Sequence, residues 1–203
     1  MRDLRFNEIV GRRLLITGDV GAGKTAMTAR LLSEASSVLD PNDITVIDIA
    51  PERREFKGVA VGGRLTDFMT IETGLRVMVP SQRVSAPRIE GQTASDVLRL
   101  ARLNARSVEQ LFKQYSTVPT PVIFINDVSI YLQAGEPTRL LEVMASAKTV
   151  VANSYEGLSL RDDHGSGVCQ RELKGLALLK KTMDIVLMLN ATPDLISQHG
   201  IVE

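Results

Sequence analysis

The 203-residue sequence contains no tryptophan and a single cysteine, and only 4% of its residues are aromatic. Because aromatic side chains are scarce, we expect a core built from Leu, Ile, Val and Ala. Cys169 cannot form an intramolecular disulfide or a cysteine metal cluster. No apolar run approaches the roughly 18–20 residues that cross a membrane, and the first residues lack the apolar segment of a signal peptide. These absences favour a cytoplasmic protein with no membrane span.

Charge is balanced overall but unevenly distributed. The 24 Lys and Arg residues equal the 24 Asp and Glu residues, so the formal net charge is zero. Residues 53–106 nevertheless hold 10 basic residues against 5 acidic ones, whereas both flanking regions are mildly acidic. A basic surface of this kind can contact a nucleic-acid or protein partner. A solvated arginine-rich face is the alternative interpretation.

Hydrophobic patterning predicts strands that alternate with helices. Short apolar runs indicate strands, and longer stretches with apolar residues at helical spacing indicate helices. The predicted strands are 13–17, 44–49, 76–80, 121–127, 148–154 and 184–190, and the predicted helices are 23–38, 93–115, 137–147 and 171–181. Alternation of this kind is typical of an α/β fold with a mostly parallel sheet. We expect one domain over residues 1–203, with a loop-rich excursion at about 51–75.

The helix predicted at 93–115 is strongly amphipathic. Thr93 is a candidate N-cap, and Asp96 follows three residues later, as in a capping box. The apolar side of the helix includes Val97 and Phe112, while arginines recur three or four residues apart on another side.

A glycine-rich phosphate cradle follows the first predicted strand. Gly-Asp-Val-Gly-Ala-Gly-Lys-Thr at 18–25 matches G-x-x-x-x-G-K-[ST] and opens the first predicted helix. Backbone N–H groups at such a helix start converge on phosphate oxygens. Lys24 would bridge the β- and γ-phosphates, and the Thr25 hydroxyl would ligate Mg²⁺. The predicted nucleotide-binding residues are Gly18, Asp19, Val20, Gly21, Ala22, Gly23, Lys24, Thr25 and Ala26.

On these residues the sequence resembles the P-loop NTPase superfamily. The extra glycine, Gly21, makes the loop similar to those of RecA/AAA-type ATPases. The resemblance implies a three-layer α/β/α P-loop fold that binds ATP and Mg²⁺. ATP is favoured over GTP because no guanine-specifying N-K-x-D stretch is present.

The second acidic element is less regular. VIFIND at 122–127 resembles the Walker B strand of that branch, which usually ends in Asp-Glu. Matched residue by residue, Asn126 takes the Mg²⁺-linked Asp position and Asp127 takes the Glu position. We expect Asp127 to act as the magnesium partner or the catalytic base. Asp48, at the end of the second strand, is a rival magnesium ligand.

Further candidates lie on later strands and loops. Asn153 ends the strand after VIFIND, where the resemblance implies a residue that senses the γ-phosphate or orients water. An arginine could stabilise the transferring phosphoryl group. The loop arginines are equivalent candidates: Arg64, Arg83, Arg88, Arg161 and Arg171.

Three functions remain open at this point. The first is a Mg-dependent ATPase that couples hydrolysis to a protein or nucleic-acid partner, with assembly into a homo-oligomer left open. The second is a small-molecule or polynucleotide kinase, with Asp48 as the base. The third is an ATP-binding regulator with little hydrolysis, which Asn126 in the Asp position favours.

Overall fold

Six parallel strands form the central sheet of the computed structural model, which describes residues 4–56 and 58–190. They are β1 (Arg13–Gly18), β2 (Ile44–Asp48), β5 (Arg76–Met78), β6 (Val122–Asn126), β7 (Thr149–Tyr155) and β8 (Ile185–Leu189). Their order across the sheet is β5-β2-β6-β7-β1-β8. The strand β7 therefore lies between β1 and β6, and pairs in parallel with both. The predicted mostly parallel sheet is confirmed.

Helices cover both faces of this sheet. They are α1 (Lys24–Ser36), α2 (Pro87–Glu90), α3 (Ala94–Thr117), α4 (Val128–Leu132), α5 (Pro137–Ala145) and α6 (Val168–Lys180). The helix α1 packs on one face, where Leu31 and Leu32 join a buried cluster with Leu14 and Ile16 of β1. The helices α3 to α6 pack on the other face around Leu15. The three-layer α/β/α prediction is confirmed.

The central strands are apolar because both of their faces are covered. All residues of β2, β6 and β7 are buried, and both Ile123 and Phe124 of β6 are inaccessible although they point to opposite faces. Parallel strands buried on both sides read as continuous hydrophobic runs rather than as alternating ones. The runs seen in the sequence therefore fix the middle of the sheet.

The excursion after β2 contains a small antiparallel hairpin. It is formed by β3 (Arg54–Phe56) and β4 (Val59–Val61), and it is followed by a 3₁₀ turn at Leu65–Asp67. Arg54 forms an ion pair with Glu90 of α2, with 2.9 Å between Nη1 and Oε1. This ion pair attaches the hairpin to α2. That the whole chain forms one domain stays a prediction.

Three helices of the structure differ from the prediction made from the sequence. The helix α6 begins at Val168 rather than at 171, because Gly167 adopts a left-handed conformation (φ 78°) directly before it. The short α2 lies between the strand predicted at 76–80 and the helix predicted at 93–115, where no helix was predicted. The helix α4 was also not foreseen, because all five of its residues are buried and leave no amphipathic pattern. Among the described residues, no helix is long and apolar enough to cross a membrane.

Candidate nucleotide-binding site

The glycine-rich loop has the conformation of an open cradle. Gly21 (φ 73°) and Gly23 (φ 84°) are left-handed, a region that residues with a Cβ rarely adopt. A Cβ added at either position would meet no described atom within 4 Å, so the space beside both glycines is open. The helix α1 starts at Lys24, and the N–H groups of its first turn have no intrahelical acceptor. The loop thus offers free N–H donors and a helix N-terminus to an anion.

The carboxylate of Asp19 fixes the conformation of this loop through hydrogen bonds from backbone N–H groups. Its carboxylate accepts hydrogen bonds from the backbone N–H groups of Val20 (2.7 Å) and Leu158 (2.9 Å). Burial raises the pKa of Asp19, but these hydrogen bonds outweigh it and the net pKa is lowered. The predicted cradle residue Asp19 therefore connects the loop to the segment that follows β7.

Lys24 extends along the cradle. Its Nζ donates a 2.7 Å hydrogen bond to the carbonyl oxygen of Asp19. Burial lowers the pKa of Lys24, while the charges of Asp127 and Asp19 raise it in part. An ammonium group held beside the N–H donors of the cradle is well placed to bind phosphate.

Asp127 lies in the same pocket as Lys24 and Thr25. It directly follows β6 in a left-handed conformation (φ 63°), which is strained for a residue other than glycine. Ser129 donates a short hydrogen bond to Oδ1, and the Asp127 N–H donates to Asn153 Oδ1 at 3.0 Å. Burial raises the pKa of Asp127, although Ser129 and the charge of Lys24 oppose the rise. No other carboxylate lines this pocket in the described part of the chain.

We call this space the P-loop pocket. Its walls are the cradle at 20–25, the hairpin residues 60–62, the segment 86–89 that includes α2, the segment 127–133, and Tyr155 with Leu160. Most of the lining residues outside the cradle are apolar. Such a mixed pocket has room for a charged group at one end and a less polar one at the other.

Asp48 and Asn126 do not line the P-loop pocket, and they contact each other instead. Asn126 Nδ2 donates to Asp48 Oδ1 at 2.8 Å. The two Asp48 oxygens also accept from the N–H groups of Ala50 (3.3 Å) and Leu65 (2.7 Å), which begin and end the hairpin excursion. Burial raises the pKa of Asp48 against these hydrogen bonds. A structural role explains these contacts, and the magnesium role of Asp48 stays a prediction.

Asn153 belongs to the same buried network. Its Nδ2 donates to Asn126 Oδ1 (2.8 Å) and to Thr28 Oγ1 (2.9 Å), and its Oδ1 accepts from the Asp127 N–H. Asn153 is therefore fully hydrogen-bonded and fixes the backbone of Asp127. The predicted phosphate-sensing role of Asn153 stays a prediction.

Of the candidate arginines, only Arg88 lines the P-loop pocket. Its side chain is buried between Glu172, with 3.1 Å between Nη2 and Oε2, and the Tyr155 ring, 4.9 Å from the guanidinium carbon. Burial alone would lower the pKa of Arg88. The contacts with Glu172 and Cys169 outweigh this effect and raise the pKa. Arg83 instead pairs with Glu90, and Arg171 lies 3.9 Å from Glu136.

Sequence reasoning missed Gln133 and Glu172. Gln133 follows α4 and lines the P-loop pocket, and its Nε2 donates to Glu172 Oε2 at 3.0 Å. Burial raises the pKa of Glu172 to about 7, although Arg88 and Gln133 lower it in part. A carboxylate inside the apolar pattern of α6 was the available signal, because a buried charge needs a partner.

The oxygen atoms in the pocket suit Mg²⁺ together with a nucleotide. Within residues 4–56 and 58–190, no cluster of three or more His, Cys, Asp or Glu side chains could hold a metal alone. Magnesium bound with a nucleotide does not need one, because it usually takes one or two protein oxygens plus phosphates and water. The hydroxyl of Thr25 and the carboxylate of Asp127 supply such oxygens.

No protein-family model matches the chain, and no curated protein matches its sequence. Among solved structures, it is similar to the Pif1 helicase from Candida albicans, with 12% identity over 91% of this chain and a TM-score of 0.40. It is also similar to an ATPase from the type III secretion system of pathogenic bacteria, with 14% identity over 89% and a TM-score of 0.40. The chain spans 37% and 52% of those two chains. Likenesses at this level carry no argument about function.

Proposed function

We propose that the chain binds MgATP in the P-loop pocket and hydrolyses it to ADP and phosphate. The observation that carries the proposal is the convergence of Lys24, Thr25, Arg88 and Asp127 on one pocket at the N-terminus of α1. These groups come from distant parts of the chain, and each suits one requirement of phosphoryl transfer.

Each residue has a defined role in this proposal. Lys24 and the cradle N–H groups bind the phosphates. Thr25 and Asp127 supply the oxygens that suit Mg²⁺, which offsets negative charge on the phosphoryl group. Asp127 has one of two alternative roles, the magnesium partner or the proton acceptor, and its position in the pocket suits both. Arg88 contributes a second positive charge from within the same chain.

The central test measures phosphate release from ATP with and without Mg²⁺. We expect Mg-dependent release of free phosphate by the protein alone or with a partner. ATP binding without turnover under every condition would favour the regulator hypothesis, in which Asn126 replaces the usual acidic residue. Failure to bind ATP would overturn the proposal.

A kinase is the second candidate. The hairpin and α2 contribute apolar residues to the lining of the pocket, where an acceptor molecule could bind. In that case ADP would form only when an acceptor is added, and the phosphate would be found on the acceptor. Asp127, rather than Asp48, would then be the base, because it lines the pocket.

The exposed basic side of α3 is the partner surface that we propose. Arg99, Arg102, Arg106 and Lys113 are all exposed on this helix. Arg99 lies 3.6 Å from Asp96, and no ion pair is found for Arg102 or Arg106 within the described residues. If the partner is a nucleic acid, affinity should fall steeply with salt, because phosphate contacts release counterions. Replacing Arg102 and Arg106 with Gln should then weaken binding and flatten the salt dependence, and unchanged binding would exclude this surface.

A further inference from the structure

Asn104 is a polar residue within the apolar side of α3. It is 3% exposed, and the buried residues near it on the same helix include Ala101, Ala105 and Val108. Helical spacing alone would place an apolar side chain at this position. Burying an amide costs free energy unless its polar atoms find hydrogen-bond partners. The reason for an amide here therefore lies in its contacts.

Both polar atoms of Asn104 bind the backbone of Ser85. Asn104 Oδ1 accepts a hydrogen bond from the Ser85 N–H at 3.0 Å, and Nδ2 donates to the Ser85 carbonyl oxygen at 2.9 Å. A backbone N–H only donates and a carbonyl oxygen only accepts, so this pairing fixes the orientation of the amide whatever the pH. The side chain thus satisfies both backbone groups of Ser85, which belongs to no strand or helix.

The contact between Asn104 and Ser85 fixes the start of α2. This helix is a single turn, and a single turn is not stable by itself in water. Residue 86, directly before α2, donates its N–H to Glu90 Oε1 at 2.7 Å. At the other end, a Cβ on Gly91 would lie 2.6 Å from the Val97 side chain of α3. The position of α2 therefore depends on its attachment to α3 at both ends.

The short helix α2 carries Arg88 into the P-loop pocket. Arg88 is its second residue, and residues 86–89 all line the pocket. Glu172 holds the charged end of the Arg88 side chain, with 3.1 Å between Nη2 and Oε2. Asn104 holds the backbone three residues earlier, at Ser85. The two contacts together fix both ends of the segment that presents the guanidinium.

We propose that Asn104 is a positioning residue that fixes Arg88 in the P-loop pocket for phosphoryl transfer. This inference rests on the proposed hydrolysis and on the role of Arg88 in it. Asn104 is not among the residues that line the pocket, so it acts through Ser85 and α2 rather than on the nucleotide. A guanidinium stabilises developing negative charge only when it is held at the correct place beforehand.

The test is a double-mutant cycle in the full chain, with Asn104→Leu, Arg88→Gln and the double variant. Leu has the same branched shape as Asn but cannot bind the Ser85 backbone. We expect Asn104→Leu to lower kcat about 100-fold, the effect that a small misplacement of a catalytic group produces. Arg88→Gln should lower kcat at least as far, because it removes the charge itself. Gln114→Leu, at an exposed position of α3, is the control and should leave kcat unchanged.

Two readouts distinguish positioning from general support of the fold. The Kd for ATP should change less than about threefold in Asn104→Leu, because Lys24 and the cradle bind the phosphates. In the Arg88→Gln background, Asn104→Leu should lower kcat less than about threefold further, because residues that act through one another are not additive. Independent losses would instead multiply to about 100-fold again.

Asn104→Asp keeps the test valid if the Leu variant fails to fold. It retains the acceptor for the Ser85 N–H and replaces the donor that faces the Ser85 carbonyl oxygen. We expect it to lower kcat as well, again with little further effect in the Arg88→Gln background. Thermal unfolding shows which variants are folded at the assay temperature.

The possible outcomes separate this inference from the proposed function. If Asn104→Leu turns over at the wild-type rate, or lowers kcat equally with and without Arg88, the inference is overturned and the hydrolase proposal stands. The same holds if Arg88→Gln turns over at the wild-type rate. If wild type binds ATP but releases no phosphate under any condition, both proposals fail.

Discussion

Two groups of polar side chains lie at the same edge of the central sheet, and they differ in how completely they are hydrogen-bonded. In the network of Asp48, Asn126, Asn153 and Thr28, each residue pairs with another member or with nearby backbone. In the P-loop pocket, the first N–H groups of α1 have no intrahelical acceptor, Gln133 Oε1 has no hydrogen-bond partner among the described residues, and Asp127 adopts a strained conformation.

This contrast distinguishes residues that stabilise the fold from residues that are available to bind a ligand. A saturated network has nothing left to offer a ligand, and its value lies in rigidity. A group with unpaired polar atoms can still bind a ligand, although the unpaired atoms reduce stability. This combination is typical of functional sites. The two groups meet at Asp127, whose backbone belongs to the network and whose side chain belongs to the pocket.

Removing the Lys24 ammonium should have the largest effect. Lys24→Ala should abolish hydrolysis and weaken ATP binding at least about 30-fold, since losing one partner of a buried charged hydrogen bond costs about 2–5 kcal/mol. Calorimetric titration with ATP measures the affinity, and Lys174→Ala on the exposed side of α6 is the control. Undiminished affinity would show that the cradle is not the phosphate site.

Asp127→Asn should lower turnover about 100-fold or more, because a general base contributes at least this much. Folding stability should change much less. Turnover measured against Mg²⁺ concentration separates the roles: an unchanged half-saturation supports the base, and a raised one supports the magnesium partner. Wild-type activity would shift the acidic role to Asp48. The exposed Asp43→Asn serves as control.

Glu172→Gln should change how stability depends on pH. An unfolded Glu ionises near 4.5, whereas Glu172 in the fold has a pKa of about 7. Between these values the folded state holds more protons, so its stability falls as the pH rises through that window. Wild type should therefore lose roughly 2–3 kcal/mol relative to the variant between pH 5 and 8.

Urea denaturation of both proteins at several pH values measures this difference, with Glu142→Gln at an exposed position as control. A constant difference between wild type and Glu172→Gln would mean that Glu172 is already ionised at pH 5. The ion pair with Arg88 would then be fixed throughout this range.

Asp48→Asn should cost about 1–3 kcal/mol of stability, because one of the buried donors facing Asp48 loses its acceptor. ATP affinity and the magnesium requirement should stay near wild type. Thermal unfolding and phosphate release measure the two effects. Lost magnesium dependence with unchanged stability would move Asp48 from the supporting network to the chemistry.

The sequence was most informative where the relevant residues are contiguous. The cradle could be identified because its glycines, Lys24 and Thr25 occupy eight successive positions, and a parallel sheet followed from buried apolar runs. The fold class and the strand positions were predictable for that reason. The short helices α2 and α4 were not, since one is four residues long and the other is buried on all sides.

The remaining site residues are far apart in the sequence, and their contacts with one another appear only in the three-dimensional structure. Asp48 and Asn126 both ended apolar strands, yet they are cross-strand neighbours in the register of β2 and β6 and satisfy each other. Arg88 could not be separated from the other loop arginines until α6 placed Glu172 beside it. Gln133 carried no signal in the sequence, because its contact with Glu172 depends on the packing of α4 against α6.

Gly18, the first glycine of the cradle motif, also allows close packing between two strands of the sheet. A Cβ at this position would lie 2.5 Å from the carbonyl oxygen of Leu189, the last residue of β8. The edge strand β8 is therefore in direct contact with the first residue of the cradle. A variant that removes or shifts β8 should therefore alter the shape of the cradle, and the proposed activity would then depend on the chain near residue 189.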